Sequence, residues 1–239
     1  SVLTSAASGV PTRATGPTGN TMVAVSADAR LIVRADSEGV LSIWRDGTLT
    51  APPATVHSDG EQLFALSLRQ SGGRDQVILG GQRTASVWDV TDKPRELAEF
   101  GADTVGYSAA WQGDVALVGT LDGSVRRVDL SAPESPMRLP DLTIGAETAV
   151  TGLAANDRFV LAGGRRDRIE VFDHSGAAQE PLAFSGTVLG ISASPDGAQF
   201  LAGSTVREAT LWDGATLGRL LSIPTSSVVN SVAHLGDSL

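Results

Sequence analysis

Ser194-Pro195-Asp196-Gly197-Ala198-Gln199-Phe200-Leu201-Ala202-Gly203-Ser204, followed by Glu208-Ala209-Thr210-Leu211-Trp212-Asp213, is the stretch from which the fold is read. Pro-Asp-Gly is turn chemistry: proline presets the first turn residue, and glycine takes a positive φ without steric cost. The short apolar run ending in Gly203, and the alternating run ending in Trp212 and Asp213, read as two short antiparallel strands. The same second run recurs upstream as Gly39 to Arg45, Thr84 to Asp89, Ser124 to Asp129 and Arg168 to Asp173. From Trp44 through Trp88, Val128 and Phe172 to Trp212 the intervals are 44, 40, 44 and 40 residues.

Two further markers keep this phase. A small residue ends an apolar run eight or nine residues before each bulky position: Ala35, Gly80, Gly119, Gly163 and Gly203. The glycines Gly19, Gly60, Gly101, Gly145 and Gly186 are spaced 41, 41, 44 and 41 residues apart, each ahead of another short β-rich run. Each unit therefore holds four strands, a to d, as in 187–193, 198–203, 208–213 and 218–223. No stretch keeps a 3.6-residue apolar stripe, so little helix is expected. A four-stranded antiparallel unit repeated every ~40 residues predicts an all-β fold, a β-propeller of radially stacked blades.

The segment 194–213 resembles a WD40 repeat, and the likeness runs along almost the whole chain. It departs from that family at one place. The Gly-His dipeptide ahead of strand a is replaced by Gly60-Glu61, Gly101-Ala102, Gly145-Ala146 and Gly186-Thr187. The family's His–Asp–Ser–Trp network is therefore not expected, although Asp122 and Asp167 stand in the turns where its aspartate would be. Packing must hold each blade instead.

The same alignment places the chain ends. Ser1 to Thr4 superposes on Ser86 to Asp89, and Pro11 to Thr18 on Pro94 to Phe100, which predicts strands c and d over residues 1–18. Residues 19–226 then hold five complete blades, and 227–239 supply strand a of a closing blade shared by both ends. That arithmetic gives a single domain of six blades, or seven if residues are missing, within a sequence read as a segment of a longer protein.

The 239 residues carry 18 basic and 27 acidic side chains, a net charge of −9, which disfavours attraction to a polyphosphate backbone; no nucleic-acid partner is expected. No apolar run approaches the ~18 residues that span a bilayer, so no membrane role is expected and a soluble, cytoplasmic protein is read. With no cysteine, disulfide and thiolate-zinc frameworks are excluded. Lys93 is the chain's only lysine.

Trp44, Trp88 and Trp212 recur at one phase and read as core rather than as a binding cage. Trp111 takes the place of Pro195 in an a-to-b turn and reads as a turn residue, packed locally or exposed as a contact. In a propeller the b-to-c and d-to-a connections open on one face. That face is expected to carry Arg83, Arg165, Arg166, Arg168 and Arg207, with Arg34 and Arg126 near the rim and Glu61, Asp103 and Glu147 at the channel mouth. Guanidinium forks around an acidic mouth suit a protein or peptide of mixed charge. The alternative is that the two sets pair with each other on the surface.

A nucleophile elbow, a His-Glu-x-x-His zinc motif and a phosphate loop are all absent. His57, His174 and His234 fall at different phases and read as separate solvated residues. The expectation is a non-catalytic interaction or ligand-sensing scaffold without cofactor. By resemblance to bacterial WD40 arrays it would be linked to further domains in its parent chain. The enzyme alternative is a metal-dependent, lactonase-like hydrolase using Glu61, Asp103 and Glu147.

Overall fold

The computed structural model describes residues 21–26, 28–47, 49–50, 52–57, 62–101, 104–146 and 148–234. They form five four-stranded antiparallel sheets, each a meander in chain order. The first holds β1 (Thr21–Val25), β2 (Ile32–Asp36), β3 (Val40–Trp44) and β4 (Ala54–His57). The second holds β5 (Leu63–Ser71), β6 (Arg74–Gly81), β7 (Ala85–Asp89) and β8 (Arg95–Glu99). The third holds β9 (Gly106–Gln112), β10 (Val115–Thr120), β11 (Ser124–Asp129) and β12 (Met137–Thr143). The fourth holds β13 (Gly152–Ala155), β14 (Phe159–Gly163), β15 (Arg168–Asp173) and β16 (Leu182–Ala183). The fifth holds β17 (Val188–Ala193), β18 (Gln199–Ser204), β19 (Glu208–Asp213) and β20 (Arg219–Pro224). The described residues include no helix, and hence none long and apolar enough to cross a membrane.

The strands lie where the repeat placed them because the turns are locally determined. In the β17–β18 turn Gly197 has φ 70°, and the Ser194 hydroxyl donates to Asp196 at 2.6 Å. Ser26 and Asp28 repeat that bond at 2.6 Å in the first sheet.

Four apolar cores lie between successive sheets. Val33, Ala35, Leu41 and Ile43 of the first sheet meet Val77, Leu79 and Val90 of the second. On the second sheet's other face, Ile78, Val87 and Phe100 meet Val118, Val128 and Leu130. Leu117, Val125 and Leu142 then meet Val160, Ala162 and Phe172, and Leu161, Ile169 and Val171 meet Phe200, Ala202 and Trp212. Strand alternation explains the pattern, since residues i and i+2 share a face and i+1 faces the other neighbour. The first strands of successive sheets approach most closely, so the stack converges along them.

Trp212 is only 2% exposed, as a core residue should be. Trp44 and Trp88, at the same phase, are only half-buried, so burial at this position differs from sheet to sheet. Trp111 requires a correction: it lies in strand β9, paired with Ala116, and not in a turn. Its ring packs on the core between the second and third sheets and is covered by the Arg69 guanidinium at 4.1 Å.

The predicted strands c and d over 1–18 lie outside the described residues. At the other end, Val228 to His234 forms no strand ladder but occupies a first-strand position. The Val150, Val188 and Val229 N–H groups donate to Thr120, Gly164 and Ser204 carbonyls at 3.0, 3.0 and 3.1 Å. Each valine sits over the glycine that closes the preceding sheet's second strand, respectively Gly119, Gly163 and Gly203. The fifth sheet is otherwise bare on this side: Leu201 and Leu211, equivalent to the buried Leu161 and Val171, are half-buried, and Leu221 and Ile223 are exposed.

His234 is less solvated than the sequence suggested. Its Nδ1 lies 3.3 Å from the Ser192 hydroxyl, and its Nε2 is shut off from solvent without a partner. Burial lowers its pKa from the ordinary value of 6.5, against an opposing pull from Asp196. The neutral ring is thus the form that docks. Its contribution is complete above the unfolded value and fades as pH falls through the lower folded value. Protease cleavage after residue 227 is therefore expected to be faster at pH 5 than at pH 7.5, and His234→Phe should flatten that difference.

Candidate functional site

The sequence-selected arginines occupy turns of one type. Arg83 lies between β6 and β7, Arg165 and Arg166 between β14 and β15, and Arg207 between β18 and β19, while Arg168 opens β15. Arg165 and Arg207 are exposed. Arg166 folds over Gly145, where an added Cβ would lie 2.3 Å from its Nη2. Arg168 pairs with Glu170 at 2.6 Å, Arg34 with Asp36 at 2.9 Å, and Arg126 with both Asp122 and Asp141. The series is not continuous, because the corresponding turns of the first and third sheets present Glu38 and Asp122. Glu61, Asp103 and Glu147 lie outside the described residues.

Asp122 and Asp167 retain turn-closing roles without the histidine of the resembled family. Asp122 accepts from the Thr120 hydroxyl at 2.5 Å and the Ser124 N–H at 3.0 Å, and Asp167 accepts from the Gly186 N–H at 2.8 Å. His174 is exposed in the turn after β15, and His57 closes β4, so the three histidines do not converge. Among the described residues no three His, Asp or Glu side chains are grouped to hold a metal ion.

A second feature of the same end of the sheets was not evident from the sequence. Where β5 pairs with β6, β9 with β10 and β17 with β18, the register shifts by one residue at the same place. The shifts leave Phe64, Tyr107 and Leu189 out of the ladder. A bulge of this kind re-aims the extra side chain and sharpens the local twist. Because first strands of adjacent sheets lie closest together, the re-aimed Phe64 and Tyr107 meet, with ring centroids 5.5 Å apart and planes 7° from parallel. They line a cleft of about 330 Å³ completed by Met22, Val23, Ala65, Leu66, Ser108 and Ala109. Tyr107 is the chain's only tyrosine and is 38% exposed.

Most side chains along the cleft are apolar, Tyr107 adds its hydroxyl, and the Ser108 hydroxyl is committed to the Val150 carbonyl at 2.7 Å. The exposed Tyr107 ring stacked on the half-buried Phe64 offers area for an apolar or planar group at little entropic cost, since the stack already fixes its orientation. Sequence reading passed over it because Phe64 follows Gly60 by four residues whereas Tyr107 follows Gly101 by six. The clue available was the single tyrosine within a β-rich first strand. Neither protein-family models nor curated proteins compared with the chain match it.

Proposed function

We propose that this chain is a non-catalytic interaction platform, a WD40-like β-propeller that captures a protein or peptide where its first strands converge. The observation that carries the reading is the stacked Phe64–Tyr107 pair, presented by two bulges at the rim of an open cleft. Exposed aromatic side chains are costly to leave in water, and tyrosine is enriched where binding energy concentrates. Arg165 and Arg166 after β14 and Arg207 after β18 stand at the corresponding end of the fourth and fifth sheets and would supply charge-assisted hydrogen bonds to carboxylates flanking an apolar anchor.

In this reading the five sheets are blades, and residues 1–18 and 227–239 complete a sixth that closes the ring. The outward faces of the first and fifth sheets support it: Ile32 and Arg34, and Leu201 and Leu211, are half-buried where the equivalent Val77 and Leu79, and Leu161 and Val171, are buried between inner sheets. The platform would serve a cytoplasmic, multidomain bacterial protein. No observation among the described residues favours the metal-hydrolase alternative.

Selection of binders from a displayed library of random peptides tests the proposal. Tyr107→Ser is expected to weaken selected peptides by about 2 kcal/mol, roughly thirtyfold in Kd, without altering stability. Arg165→Glu combined with Arg166→Glu should weaken the peptides that carry acidic residues. A library that yields no binder, or binders indifferent to all three changes, sinks the proposal.

A further inference from the structure

At the opposite end of the second sheet lies a cleft of about 590 Å³, lined by Arg74, Asp89, Thr91, Asp92, Lys93, Pro94 and Arg95. Its walls are held in place from both neighbouring sheets. Arg45 of the first sheet donates to the Val90, Thr91 and Asp92 carbonyls, which fixes the β7–β8 turn. Arg95 makes two bonds of 3.1 Å to the Glu134 carboxylate of the third sheet. That fork occupies Glu134 and anchors the rim.

Within this frame several donors remain uncommitted. Arg74 Nη1 is withdrawn from solvent and has no hydrogen-bond partner. Lys93, the only lysine of the chain, is exposed at the rim and forms no ion pair among the described residues. Thr91 accepts the Asp75 N–H at 2.9 Å through its hydroxyl oxygen, which leaves the hydroxyl proton to donate. One carboxylate on the wall is already engaged, since Asp89 Oδ1 accepts the Thr91 N–H at 3.0 Å. An unsatisfied guanidinium nitrogen out of solvent is costly unless a ligand meets it.

We propose that this cleft binds a compact oxyanion of the phosphate class between Arg74, Lys93 and the Thr91 hydroxyl. Asp89 and Asp92 on the same wall oppose any anion, and together with the net charge of −9 they weigh most against an extended polyanion, so the cations present suit one small group. Free inorganic phosphate and a phosphomonoester on a peptide side chain share this chemistry.

Calorimetric titration of the full chain with inorganic phosphate, and separately with a phosphoserine peptide and its unphosphorylated form, provides the test. Binding to phosphate is expected, with Lys93→Gln and Arg74→Gln each losing about tenfold or more in affinity, and Arg30→Gln, at an exposed position that does not line the cleft, unchanged. A phosphopeptide that binds at least tenfold tighter than phosphate identifies the phosphomonoester as the source, and equal affinities identify the free ion. Because one lysine is present, acetylation of Lys93 gives a second readout in the unmutated protein, and phosphate should slow it. Absence of binding at about 10 mM phosphate, or unchanged affinity in Lys93→Gln, overturns the proposal.

Discussion

Replacing Trp212 by alanine is expected to lower the unfolding free energy by about 3–5 kcal/mol, because the vacated space lies inside a fully formed core. The indole is 2% exposed and packs against Phe184 with ring centroids 5.8 Å apart. Phe200 and Leu161 complete its surroundings, so little main-chain relaxation can refill the cavity. The same change at Trp88 should cost clearly less. Trp88 is half-buried, and its Nε1–H donates to the nearby Ser86 hydroxyl at 2.9 Å, a bond partly replaceable by water. Urea denaturation of the two variants side by side tests the ranking. Equal losses would mean that the repeat phase alone, and not the presence of a packed neighbour, sets the contribution of each tryptophan.

The contrast between these residues marks what sequence patterning can reveal. Periodic positions announce themselves because each sheet solves the same packing problem, and so the strand boundaries near Phe200 and Trp212 were readable within a residue or so. Burial at a given phase depends on which surface arrives from the next sheet, and composition does not encode that. Trp111 was misplaced because it aligned with a turn proline, yet β9 runs through it to Gln112. The Phe64–Tyr107 pair depends on bulges whose positions follow from backbone register rather than from spacing. The cleft at Lys93 escaped notice for a different reason: its cationic wall comes from two strands and a turn, tied by Arg45 and Glu134 from other sheets.

The glycines at the ends of the second strands yield the other large expected effect, and here position along the stack decides its character. At Gly119 an added Cβ would fall 2.3 Å from Ser108 Oγ within the same sheet and 2.6 Å from Val150 Cγ1 of the next. Ser108 belongs to β9, and Val150, fully buried just ahead of β13, is part of a core, so Gly119→Val should destabilise the whole chain by about 3 kcal/mol through overpacking. At Gly203 the three nearest atoms, at 2.5 to 2.9 Å, all belong to Val229. That residue is joined to the fifth sheet by one N–H bond to Ser204, and His234 adds a contact with Ser192 and an electrostatic pull from Asp196. Lifting the segment away is therefore cheaper than distorting the sheet. Gly203→Val should leave the global unfolding free energy within about 1 kcal/mol of the parent while exposing residues 228–234 to rapid hydrogen exchange. If Gly203→Val destabilises as much as Gly119→Val, with exchange protection lost uniformly, the C-terminal segment is an integral strand of the stack rather than a separately opening unit.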